Sequence, residues 1–317
     1  MSSYSKTDLD RIAKESGFIR DNLEKVIRLA DILEHFNTNP LLLESMALKG
    51  GTAINLTVFD LPRLSVDIDL DFIKNCSKDE MLKSREAINA EILNDMFVQG
   101  YTLSPNTKNP HSLDSWAFYY QNAGGNKDNI KIEINYSMRN HIYPFVKTRI
   151  NVSFLPSIEI QVLAPLELFG SKIKALIERT AARDLYDVHN IISYSIFTED
   201  QLVDLRRVVL FYLAVGGSNP PKTEYKNFEA IDKLKFSQIR ANLIPVLRKS
   251  EHFDFETAKT EVKKFLSQLL VFTDNEKLFV EEFNNQKYRP QLLFENQEII
   301  KSIQNHPMAI WKTRSKE

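Results

Sequence analysis

The sequence predicts an α+β domain over residues 1–163 followed by a helical region over residues 164–317. Three observations carry that expectation. Apolar and polar residues alternate in 63–73, 129–137 and 157–163, the period of a strand. Between these segments lie stretches with the 3.6-residue period of helices. Beyond Pro165 that longer period takes over and strand signals disappear.

The elements follow in order. Residues 8–36 carry Leu9, Ile12, Ile19, Leu23, Val26, Ile27, Ala30 and Leu33 at helical spacing and read as one or two helices. Gly50-Gly51-Thr52 opens a short helix that Pro62 prevents from continuing. In the next strand Val66, Ile68 and Leu70 take one face while Asp67, Asp69 and Asp71 take the other. A helix is expected over 78–98. Residues 115–122 and 129–137 flank an Ala-Gly-Gly-Asn-Lys turn and read as a hairpin, and 157–163 as a further strand stopped by Ala164-Pro165. Residues 163–191 read as two helices joined near 180–182. The Gly/Pro/Ser-rich stretch 215–223 is the clearest linker candidate.

Composition excludes several classes of protein. The 317 residues suffice for two ordinary domains, 43% of them apolar and 26% charged. A net charge of −1 means that a nucleic-acid surface would have to be local. One cysteine, Cys76, excludes an internal disulfide framework and a cysteine-rich zinc site. The polar N-terminus lacks the apolar core of a signal peptide, and no eighteen-residue apolar run is present, so a cytoplasmic location is expected.

Three features point to phosphate and metal chemistry. On one strand face, Asp67 and Asp69 present carboxylates roughly 7 Å apart, a pair suited to Mg²⁺, a hard cation that wants oxygen ligands. The Gly50-Gly51-Thr52 helix start offers close backbone approach and free N–H groups to a phosphate. On 129–137, Lys131, Glu133 and Asn135 share a face, so Glu133 supplies a third carboxylate from another strand. Taken singly, each feature also describes an ordinary solvated strand or helix start. Asp71 is expected to be solvated. A fourth feature is Lys172, set among Leu168, Phe169, Ile173, Ala175 and Leu176, a surround that suits a lysine reaching into a site. An Arg183–Asp187 bridge along one helix would be the bland reading of that stretch.

The Gly-Gly turn, the D-x-D strand and the third acid resemble the nucleotidyltransferase superfamily of the DNA polymerase β type. That resemblance implies a mixed sheet with flanking helices. It also implies that Asp67, Asp69 and Glu133 hold two Mg²⁺ ions (Mn²⁺ being an alternative), the third acid helping to deprotonate the attacking hydroxyl. Arg63-Leu64-Ser65-Val66-Asp67-Ile68-Asp69, and Ser171-Lys172 through Arg183-Asp184 and Asp187, resemble a narrower family. These are the AbiEii/AbiGii toxins of bacterial abortive-infection systems, including the mycobacterial MenT toxins. The likeness covers 48–72 and 163–191 closely; residues 200–317 carry no recognised motif.

The family resemblance implies a type IV toxin of phage defence whose antitoxin need not bind it. Some relatives bind GTP; others add pyrimidine nucleotides to the 3′ end of tRNA and stop translation. Gly50, Gly51, Thr52, Arg63, Ser65, Lys172 and Arg183 are then the nucleotide-binding set, with the second domain bringing Lys172 and the Arg183–Asp187 segment to the site. An aspartate of that segment is required; spacing leaves open whether it is Asp184 or Asp187. An RNA acceptor would need a local basic lining, for which Arg139, Lys147, Arg149, Lys174, Arg179 and Arg183 are candidates, with Tyr136, Tyr143 and Phe145 available to stack on bases. Two alternatives stay open: transfer to a small molecule or protein side chain, and an NTP-binding module without transfer.

Overall fold

The computed structural model describes residues 4–314 except 60, 106, 108, 111, 151 and 156. The chain divides into two compact units. The first takes in residues up to 139 with 145–163 and 245–251; the second takes in 140–144, 164–244 and 252 onward.

In the first unit, α1 (Lys6–Ser16) starts at a capping box, Ser5 with Asp8, and stops at Gly17, whose φ of 77° is left-handed. The long α2 (Arg20–Thr38) follows, then α3 (Pro40–Ser45), capped by Asn39 with Pro40 in its first turn. Next come β1 (Met46–Lys49), α4 (Gly50–Thr57) and β2 (Asp67–Phe72). A second capping box, Ser77 with Glu80, opens α5 (Lys78–Val98). After it run β3 (Thr102–Leu103), the hairpin β4 (Leu113–Gln121) and β5 (Lys127–Asn135), then β6 (Val146–Arg149) and β7 (Glu159–Val162).

The seven strands form one mixed sheet in the order β3-β4-β5-β2-β1-β7-β6. Its centre is β2, parallel to β5 and antiparallel to β1. Strand alternation gives the sheet two unlike faces. Leu48, Ile68, Leu70, Ile132, Ile134 and Trp116 are buried in register on one, with Leu33 and Phe36 of α2 among the apolar residues gathered beside Leu48 and Leu70. A buried carboxylate, Glu24, ties α2 to the hairpin: it pairs with Arg28 at 2.9 Å and accepts the Ala123 N–H at 2.9 Å. The other face carries the polar residues of β1, β2 and β5.

The second unit is helical among its described residues: α6 (Pro165–Arg179), α7 (Ala182–Ser193), α8 (Glu199–Gly216), α9 (Glu229–Asp232), α10 (Phe236–Asn242), α11 (Phe255–Leu269), α12 (Asp274–Asn284), α13 (Gln297–Ile303) and α14 (Pro307–Thr313). At its centre is α8, against which α6, α11, α12 and α14 pack. The run Val208–Val215 is buried on every side, as an apolar helix must be to avoid water. Thr180, with a left-handed φ of 48°, breaks α6 from α7 as expected. A fully buried carboxylate organises one end: Glu167 accepts the N–H groups of Ile142 and Tyr143 and the Tyr212 hydroxyl, with His141 Nδ1 at 3.4 Å. The stretch proposed as a linker, 215–223, begins inside α8 and lies within the second unit, so it separates no domains.

Helices α6 and α8 touch where Gly170 faces Val208, and a Cβ at Gly170 would overlap the Val208 side chain. Gly170→Ala should therefore destabilise the chain by about 1–3 kcal/mol through overpacking, although alanine is the better helix former by about 1 kcal/mol. Val208→Ala in the same chain should recover most of that cost. Denaturant unfolding of the four variants measures the coupling, and a stabilising Gly170→Ala would contradict the packing described.

Candidate active site

Cross-strand register builds the site. Asp69 of β2 is the direct partner of Glu133 on β5 and of Lys49 on β1, and Asp67 is the partner of Lys131. Asp67, Asp69 and Glu133 thus share one face on adjacent strands. Asp67, Asp69 and Glu133 are part-exposed, whereas their apolar neighbours on the opposite face, Ile68, Ile132 and Ile134, are buried.

The Gly-Gly turn is pressed against these acids. Gly50 has a φ of 71°, and a Cβ on it would stand 2.6 Å from Oδ2 of Asp69. Glycine is required here twice over, for the backbone and for the space. A Cβ on Gly51 would stand 2.8 Å from Nη2 of Arg63 and 3.1 Å from Oγ of Ser65. Arg63 is 1% exposed and donates to the Leu64 carbonyl at 3.0 Å, so its guanidinium lies beneath the turn. Thr52 is buried and gives its hydroxyl to the Asp67 carbonyl at 2.5 Å. That bond pins the first residue of β2 to the first turn of α4.

Two lysines sit among the carboxylates, and alternation alone did not single them out. Lys49 Nζ is 2.5 Å from Oδ1 of Asp71. Asp71, expected to be solvated, is 2% exposed: its register places it opposite Ala47 of β1, within reach of the lysine two residues on. Lys131 Nζ is 2.9 Å from Oε1 of Glu133. Partial burial works to lower the Lys131 pKa, but the Glu133 hydrogen bond and the charges of Glu133, Asp67 and Asp69 outweigh it and leave the ammonium above its usual value. All three acids are felt at one point. Among the described residues, no three His, Cys, Asp or Glu side chains are drawn around a common centre; Glu133 is turned to Lys131. The donors nonetheless suit a hard cation: three carboxylates on one face of adjacent strands, two of them, Asp69 and Glu133, in direct register.

In the second unit Lys172, Asp184 and Asp187 form a buried cluster. Lys172 Nζ lies 3.0 Å from Oδ1 of Asp184 and 3.1 Å from Oδ2 of Asp187. Arg179 grips Asp184 with two bonds, Nε to Oδ2 at 2.6 Å and Nη2 to Oδ1 at 3.0 Å. Both aspartates are fully buried and Lys172 is 7% exposed, so two carboxylates balance two cations. Burial pushes the Asp184 carboxyl up; the Lys172 charge and the Arg179 hydrogen bond outweigh it and hold the group below its ordinary 3.8. Arg183 gives its Nε to the Asn242 carbonyl at 2.7 Å.

The expected RNA lining is reduced by burial. Tyr136 is fully buried beneath the Arg85 guanidinium and cannot stack on a base. Arg139 donates to the carbonyls of Cys76 and Tyr136, and burial lowers its pKa. Arg179 is held by Asp184 and Lys174 by Glu178. Lys147 and Arg149 are exposed on β6, the edge strand.

A D-x-D strand in register with a third acid, beneath a Gly-Gly helix start on a mixed sheet, marks the class of enzymes that move nucleotides, the nucleotidyltransferases. A family profile described as "Nucleotidyl transferase AbiEii toxin, Type IV TA system" matches residues 31–281, and the chain belongs to that family. Among solved structures it is similar to MenT4, a nucleotidyltransferase toxin of Mycobacterium tuberculosis H37Rv, with a TM-score of 0.63 and 15% identity over 99% of this chain and 100% of that one. At that identity the likeness is one of fold. A second similar structure, JHP933 from Helicobacter pylori, is 19% identical over 80% of this chain and 93% of that one, with a TM-score of 0.48. No curated protein matches. Among the described residues, no helix is long and apolar enough to cross a membrane.

The burial of Lys172 sets the stability of its cluster. Lys172→Ala should cost about 3–5 kcal/mol by leaving buried carboxylates uncompensated, well beyond a surface change. Because the Asp184 carboxyl is depressed in the folded chain, its contribution is full above about pH 4 and is lost as the pH falls through its folded value. Lys172→Ala takes away the Lys172 charge and leaves Arg179 alone against the burial of Asp184, so its acid unfolding should begin at higher pH than wild type. Circular dichroism across pH 2–7, taken as a range of about five units around the carboxylate pKa, tests both; an unchanged stability and acid midpoint would contradict the cluster's role.

Proposed function

We propose that this chain transfers a nucleotidyl group from an NTP to an RNA hydroxyl, the 3′ end of tRNA, and thereby blocks translation and growth. The observation that carries the reading is the register of Asp69 with Glu133 beside the Gly50-Gly51 turn. The reaction is an in-line attack of the hydroxyl on the α-phosphorus: the bond to the β-phosphate breaks, pyrophosphate leaves and the hydroxyl loses its proton. In this reading Asp67, Asp69 and Glu133 hold Mg²⁺, or Mn²⁺, which when bound supplies charge stabilisation at the attacking and leaving oxygens. Gly50 and Gly51 offer backbone N–H groups at the start of α4 to the triphosphate. Ser65, beside Gly51, belongs to the same cradle. Arg63 and Thr52 act one step back, holding the turn and β2 in place. For Lys172, Arg183, Asp184 and Asp187 the proposal rests on the family motif alone.

The RNA acceptor follows from the family resemblance, and the exposed Lys147 and Arg149 on the sheet edge suit a phosphate backbone. As a type IV toxin the chain has an antitoxin that counters it without necessarily binding it.

Incubating the chain with Mg²⁺, each α-labelled NTP and total RNA should label a tRNA-sized product with at least one nucleotide. Asp69→Asn should reduce that labelling by two orders of magnitude or more, about 3 kcal/mol of transition-state stabilisation, while the fold persists. Label appearing on a small molecule or protein with no RNA product would replace the acceptor; labelling by Asp69→Asn at the wild-type rate would refute the site.

A further inference from the structure

Four acids and two lysines share the polar face of β1, β2 and β5, and the two ion pairs differ in kind. Lys49 and Asp71 are the inner pair, their side chains 24% and 4% exposed. Separating them would leave a buried carboxylate without its cation, which is costly. Lys131 and Glu133 are the outer pair, at 43% and 26% exposed. An ion pair so open to water is weak and readily exchanged. The inner lysine is a fixed part of the sheet; the outer one is free to leave.

The position of Lys131 gives that freedom a use. Its register partner is Asp67, and its ammonium rests on Glu133, two residues along the same strand face. The cation therefore sits among the three carboxylates assigned above to the metal. We propose that Lys131 is the exchangeable counter-ion of this site: its ammonium occupies Glu133 until a divalent cation displaces it, so that it sets the metal concentration at which the three acids assemble. The inference rests on the metal-site reading of the proposed function. It assigns Lys131 a regulatory and positioning part, since Glu133 is turned toward the lysine and away from a shared centre for as long as the pair persists. Like charges cannot share one carboxylate cheaply at such distances, so binding of the dication and release of the lysine are coupled.

Titrating the full chain with Mn²⁺, and following free Mn²⁺ by electron paramagnetic resonance, tests this without any turnover. Lys131→Gln should bind Mn²⁺ about threefold to tenfold more tightly than wild type, the scale of removing one unit charge roughly 6–12 Å from a dication in a largely aqueous site, the reach of a lysine already turned away. Lys131→Arg keeps the charge and should bind no more tightly than wild type. Asp69→Asn should lose the binding. Equal or weaker Mn²⁺ binding by Lys131→Gln, or tightening by Lys131→Arg as well, overturns the counter-ion role while leaving the metal site standing. Undiminished Mn²⁺ binding by Asp69→Asn overturns both.

Discussion

The pairing of β2 with β5 is the constraint on which the site depends. Because parallel neighbours in register point the same way, one alignment sets Asp67 beside Lys131, Asp69 beside Glu133 and Asp71 beside Asn135. A slip of one residue would turn every acid of β2 into the apolar layer and every isoleucine out of it. Leu70 against Ile134 and Ile68 against Ile132 hold the register from the buried face, so the hydrophobic effect on one side of the sheet positions the carboxylates on the other. From the third direction the Thr52 hydroxyl fastens β2 to α4, and Gly50 closes on Asp69 with no room for a side chain.

Charge compensation divides the acidic residues by what they do. Four of the buried acids are matched by cations, Asp71 with Lys49, Asp114 with Arg85, and Asp184 and Asp187 with Lys172 and Arg179, while Glu167 is satisfied by two backbone N–H groups and the Tyr212 hydroxyl beside His141. Buried charges persist in a fold only with such partners. Asp67, Asp69 and Glu133 stand on the more open part of the sheet, where their combined field raises the pKa of Lys131 against its desolvation. In the reading proposed above this face, which gathers negative charge near solvent, receives a cation, and that would distinguish it from the sealed clusters elsewhere in the chain.

Much of this was legible in the sequence. The alternation in 63–73 and 129–137 marked both strands, observed as Asp67–Phe72 and Lys127–Asn135, and the face of each acid, and the helix break near Thr180 followed from the spacing of 163–191. What escaped depends on long-range pairing. The four residues of β1 show no period of their own, being buried between β2 and β7, so the strand carrying Lys49 went unseen. Without it Asp71 read as solvated. Tyr136 looked available for stacking because its burial comes from Arg85 and Phe72, which lie far from it in sequence. The apolar surround of Lys172 read as a lysine reaching into a site, whereas the lysine is buried against partners across the break on α7, and sequence spacing could not say that they close a balanced cluster.

The central claim is that Asp67, Asp69 and Glu133 form one divalent-cation site on the sheet. A crystal of the chain soaked in Mn²⁺ and examined by anomalous diffraction tests it most directly. The account predicts an anomalous peak coordinated by carboxylate oxygens of all three residues, with the Lys131 ammonium turned off Glu133. A peak bound elsewhere, with Lys131 still seated on Glu133 and no metal at Asp67 and Asp69, would contradict it.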